Sequence, residues 1–137
     1  MNKVQVVGPD QIHRLWEEVK EWLKLSLQTS DGECTIEQLK GLLAAGARIL
    51  LVSSDEDNEL TGAMTVEFIN HPNERVMFIS ALGGKGIVNK QTFSQVEEWA
   101  RMQGATKVIA WAKETQVKLY IQRAGFENKR HVVEKKI

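Results

Sequence analysis

The chain has 137 residues, 42% apolar and 26% charged, proportions of a folded water-soluble domain with a sizeable core. Eighteen basic residues balance 18 acidic ones, which argues against a general affinity for nucleic acid or for an anionic membrane surface. A single cysteine, Cys34, allows no internal disulfide and fits a reducing compartment. Runs such as Ile49-Leu50-Leu51-Val52 are too short to span a bilayer, and the N-terminus lacks the apolar stretch of a signal peptide. These features predict a cytoplasmic protein, folded as one domain over residues 1–137.

Val4 to Val7 reads as a short strand, ended by Gly8-Pro9, with Asp10 as the expected N-cap of a first helix. Ile12, Leu15, Trp16, Val19, Leu23 and Leu27 recur at steps of three and four, one face of that helix. Asp31-Gly32 breaks the run. Thr35 and Gln38 have the spacing of a capping box, Ile36, Leu39, Leu42 and Leu43 supply an apolar face, and Gly46 supplies a stop. Three strands are expected next: Arg48 to Ser53, Leu60 to Ile69 and Arg75 to Leu82. Asn70-His71-Pro72-Asn73 makes the last two a hairpin.

Gly83, Gly84 and Gly86 then read as a loop before another helix, whose Phe93, Val96 and Ala100 mark one side and which ends near Gly104. Such a loop can turn several backbone N–H groups toward one anion, and the helix adds the positive end of its dipole. The alternative is a glycine-rich turn that merely joins strand to helix. Lys107 to Ala112 is a further strand, Thr115 to Ala124 a helix stopped by Gly125, and Arg130 to Ile137 a final strand. The order is β-α-α-β-β-β-α-β-α-β, an α+β architecture with a mostly antiparallel sheet flanked by helices.

With glycines between the fourth strand and the third helix, that order resembles the GCN5-related N-acetyltransferase (GNAT) superfamily over nearly the whole chain. Ala81-Leu82-Gly83-Gly84-Lys85-Gly86 keeps, at Gly84 and Gly86, both glycine positions of the family's pyrophosphate loop. Glu97 to Ala100, Gly104 and the segment Leu119-Tyr120-Ile121-Gln122-Arg123-Ala124-Gly125-Phe126 match further downstream. Three positions depart from the pattern. Ala81 replaces an Arg or Gln, the step from Gly86 to Ala100 is about three residues longer, and Lys113 stands where many members carry asparagine.

The resemblance implies acyl transfer from acetyl-CoA, as co-substrate, to an amine on a small molecule or protein. The pyrophosphate would lie on the backbone of Leu82, Gly83, Gly84, Lys85, Gly86, Ile87 and Val88, with Tyr120 as general acid and Glu67 as candidate base. The chain is also similar to small GNAT-like proteins of bacteriophages. That implies a second possibility, a non-catalytic binding or structural role with a homodimer or phage-protein partner. His13, His71 and His131 lack ligand spacing, so no metal site is expected. Cys34 carries no nucleophile motif. Trp16 and Trp99 read as packing residues, and Trp22 falls off the helical stripe.

Overall fold

Five strands lie in the order β1-β2-β3-β4-β5, with every neighbouring pair antiparallel except β4 and β5. They are β1 (Lys3–Val7), β2 (Ile49–Ser54), β3 (Leu60–His71), β4 (Glu74–Gly84) and β5 (Lys107–Ala110). The helices are α1 (Ile12–Leu27), α2 (Ile36–Ala44), α3 (Lys90–Met102) and α4 (Glu114–Ala124). This computed structural model describes residues 2–28, 33–112 and 114–137, with only the backbone of Glu114 and Thr115. The expected break at Asp31-Gly32, Lys113 and the capping side chain of Thr115 lie outside the described residues.

The helical stripe of α1 buries Ile12, Trp16, Val19, Leu23 and Leu27 against α2 and against Leu50, Val52, Ala63 and Ala81 of the sheet. The other face holds Leu51, Met64, Val66, Met77 and Ile79, covered by Phe93, Val96 and Ala100 of α3. Alternation along each strand sends neighbouring residues to opposite faces, and its phase changes between Ile79 and Ala81, which fall in different cores. Trp16 belongs to the first core. Trp99 packs at the rim of the second, its ring 5.6 Å from that of Phe68.

The capping box forms as expected: Thr35 Oγ1 accepts from Gln38 N–H at 3.1 Å, and Gln38 Oε1 accepts from Thr35 N–H at 2.9 Å. Thr35→Ala removes one half of this pair and is expected to cost about 1 kcal/mol, read as a lower urea midpoint. An unchanged midpoint would mean that α2 does not depend on its cap.

Four expectations need correction. Asp10 caps nothing. Pro9 begins a 3-10 turn (Pro9–Gln11) with Gly8 at its N-cap, and α1 starts only at Ile12. Gly83 and Gly84 are not loop residues but the end of β4, paired with Ala63 and Gly62. β5 stops at Ala110, before Trp111. Residues 125–137 form neither helix nor strand. In the tail Val132 and Val133 are adjacent, so the alternation needed for a one-sided strand fails, and both are exposed.

Two β-bulges shape the sheet where the site lies. β3 pairs Gly62 with Ser53 but Leu60 with Ser54, leaving Thr61 as an extra residue. β4 pairs Ala81 with Thr65 but Ile79 with Val66, leaving Ser80 extra. A bulge bends its strand and frees backbone groups from the ladder.

Candidate active site

β4 outruns its neighbour. The parallel ladder runs from Val76↔Lys107 to Ile79↔Ala110, and β4 then continues from the Ser80 bulge to Gly84 with no β5 partner. The gap is a cleft of about 720 Å³. Ile79 to Lys85 form one wall, Gln116, Leu119, Tyr120 and Arg123 of α4 the other, and Phe78 and Trp111 line it as well.

Of the residues singled out in the sequence, Leu82, Gly83, Gly84, Lys85, Val88 and Tyr120 line this cleft. Gly86, Ile87 and Glu67 are not among its lining residues. Ile87 is fully buried in the second core. Gly86 is buried against Thr61, and its carbonyl accepts from Asn2 Nδ2 at 3.3 Å and Asn89 Nδ2 at 3.2 Å. Glu67 stands opposite Phe78 in the β3–β4 ladder, on the sheet face that carries α1 and α2.

The backbone donors of the glycine segment are partly engaged within the chain. Leu82 N–H donates to Ser26 Oγ at 3.1 Å. Lys85 and Gly86 N–H both donate to the carbonyl of the bulged Thr61, at 2.9 and 3.1 Å. At the start of α3, Asn89 Oδ1 accepts from Thr92 N–H at 2.9 Å, so the helix carries its own cap. The Ser80 hydroxyl pairs with Thr65 Oγ1 at 2.8 Å.

Tyr120 is positioned by the residues that follow α4. Gly125, at φ +73°, turns the chain back so that Phe126 N–H donates to the Tyr120 carbonyl at 3.3 Å. The Phe126 ring then meets Tyr120 edge-on at 5.2 Å and Phe93 at 5.3 Å. Burial pushes the Tyr120 hydroxyl up to about 12, so at neutral pH it is a protonated donor.

Sequence reasoning missed Phe78, Trp111, Glu33, Gln116 and Arg123 as cleft residues. Only Arg123 had a signal, as the basic residue inside the segment that closes α4. Glu33 is ion-paired with Arg48 Nη2, and Arg48 Nη1 also reaches Cys34 Sγ at 3.8 Å. Burial lowers the Arg48 pKa, but the hydrogen bond and charge of Glu33, then the charges of Glu67 and Cys34, outweigh it and leave the pKa raised.

No family model matches the sequence, and no curated protein matches it. Solved structures do match over essentially the full chain. A ribosomal-protein-alanine N-acetyltransferase from Brucella melitensis is 15% identical with a TM-score of 0.65, over 99% of this chain and 100% of the other. An aminoglycoside acetyltransferase from an uncultured soil metagenomic sample, in complex with sisomicin, gives 11% and 0.70, over 99% and 96%. A predicted acetyltransferase with acetyl-CoA from Clostridium acetobutylicum gives 13% and 0.64, over 99% and 96%. At these identities the likeness establishes the fold.

Proposed function

We propose that this chain, which has the fold of the GNAT acetyltransferases, transfers an acetyl group from acetyl-CoA to an amine. The observation that carries the reading is the cleft where β4 outruns β5, with Tyr120 in its wall. Its lining fits a long anionic thioester. Lys85 beside the glycine segment and Arg123 in the α4 wall supply positive charge, and Leu82, Val88 and Leu119 supply apolar surface. The structural neighbour with acetyl-CoA supports the co-substrate, and the one with sisomicin supports an amine-bearing acceptor.

Bound there, acetyl-CoA supplies an activated acyl carbon. Transfer forms a C–N bond and breaks the C–S bond, the nitrogen losing one proton and the sulfur gaining one. Tyr120 is proposed to donate its hydroxyl proton toward the sulfur. The amine proton is proposed to pass by way of solvent to Glu67, beside Phe78. The backbone of Gly83, Gly84 and Val88, with the Lys85 side chain at the rim, is proposed to hold the phosphates. Gly86 and Ile87 contribute by setting the shape of that turn.

A second reading, a GNAT-fold binding or scaffold protein without catalysis, has one observation in its favour. Leu82, Lys85 and Gly86 already spend their N–H groups on Ser26 and Thr61. Titration with CoA separates the two. If CoA binds with a Kd of about 10 μM, 1 mM CoA stabilises the fold by about 2.7 kcal/mol, raising Tm by roughly 5–10 °C. A Lys85→Glu/Arg123→Glu double variant should lose most of that shift, with affinity down about tenfold or more. No shift in the unaltered protein would leave only the scaffold reading.

A further inference from the structure

The two ends of the cleft differ in chemistry. Lys85 follows β4 at one end, whereas Phe78, with Trp111 against it, lies further back along the strand; Arg123, Glu33 and Glu134 also line the cleft. Phe78, in β4, lies seven positions before Lys85, the residue after the strand ends, so the two are roughly 20 Å apart along the strand direction.

Trp111 is 67% exposed, although it follows directly on a packed strand. Its described ring contact is with Phe78, edge-on at 5.1 Å, which leaves much of the indole open. Tryptophan has the strongest π-face for holding a cation. Glu33 lines the same cleft. Glu33 uses Oε1 on Arg48, and among the described residues its Oε2 makes no hydrogen bond. Arg48 is the more buried member of that pair, its side chain 11% exposed against 30% for Glu33, so the carboxylate screens the guanidinium from the cleft. Glu67, opposite Phe78, also lies within the electrostatic reach of Arg48. Glu33 and Glu67 thus both act on Arg48, two carboxylates to one guanidinium.

We infer that the acceptor is an aliphatic amine carrying a second positive charge, held as an ammonium between the Trp111 face and the Glu33 carboxylate. This rests on the transferase reading, and it orients both substrates. The anionic donor is drawn to Lys85, the cationic acceptor to Trp111 and Glu33, and the acceptor's second nitrogen is left to attack. An amine that bears a phosphate is disfavoured there, because its negative charge meets Glu33.

Spermidine serves as the probe, titrated calorimetrically into the protein without CoA. Measurable binding is expected, weakened about tenfold or more by Trp111→Ala, several-fold by Glu33→Gln, and restored in part by Trp111→Phe. A parallel assay follows thiol release from acetyl-CoA with spermidine and with glucosamine 6-phosphate, and spermidine should have the higher kcat/KM. Absence of spermidine binding, equal binding by Trp111→Ala, or preference for the phosphorylated amine would overturn the inference. If CoA neither binds nor turns over while spermidine binding still depends on Trp111, the transferase reading fails and the cation site stands.

Discussion

Gly84→Ala is expected to destabilise the fold by roughly 2–5 kcal/mol, a large share of the 5–15 kcal/mol that holds most domains together. Two effects add. Gly84 sits at φ +88°, a conformation that costs an L-residue about 1–2 kcal/mol. A Cβ there would also lie 2.5 Å from Gly62 Cα and 2.5 Å from the Thr61 carbonyl oxygen. Backbone cannot swing aside as a side chain can, so overpacking adds about 1–3 kcal/mol. Gly104 provides the control: it has the same φ of +88°, but the nearest atom to its Cβ would be Arg75 Cδ at 3.7 Å. Gly104→Ala should therefore show the conformational cost alone, about 1–2 kcal/mol. Urea denaturation of both variants checks the difference. Equal losses would mean that β3 and β4 do not press together at Gly62 and Gly84. The result also separates packing from binding, because this loss needs no ligand.

That double duty explains why the glycine segment is hard to read from sequence. Gly83 and Gly84 match the spacing of a phosphate loop, yet both are needed for close approach, Gly83 against the backbone of Trp22 and Gly84 against Gly62. A pattern of glycines reports that something passes near the backbone. It does not say whether the visitor is a ligand or another strand. The elements themselves were readable because their signals are local. The stripe from Ile12 to Leu27, the Thr35 box and the hairpin at Pro72-Asn73 each lie within a few turns of chain and appear as expected.

The cleft depends on long-range facts that no local pattern carries. Its opening comes from where β5 stops and where β4 bulges, and a one-residue bulge at Ser80 leaves no mark in composition. The engagement of Lys85 and Gly86 N–H follows from a second bulge, at Thr61, more than 20 residues earlier in the chain. The lining also joins Glu33, before α2, with Phe78 in β4 and Trp111 after β5. The tail misled for a related reason. A strand needs an alternating face and a partner edge, and Val132-Val133 followed by Glu134-Lys135-Lys136 presents no consistent face.

Tyr120 gives the test with the most direct readout, because it is the only tyrosine in the chain. Tyrosinate absorbance near 295 nm therefore reports one residue. In the folded protein burial places its pKa at about 12, whereas in urea it should titrate near the unperturbed value of about 10. At pH 11 the unfolded chain should be mostly ionised at Tyr120 and the folded chain mostly not. The sign of the linked stability follows. The fold favours the neutral phenol, so its contribution is intact below pH 10 and is lost as pH rises from 10 toward 12. A shift of this size corresponds to roughly 2–3 kcal/mol of stability across that window. Tyr120→Phe keeps the ring against Phe126 and removes the titration, so its stability should fall less steeply above pH 10. A midpoint near 10 in the folded protein would mean that the hydroxyl is solvated, and Tyr120 would then lose its place as a buried donor in the wall of the cleft.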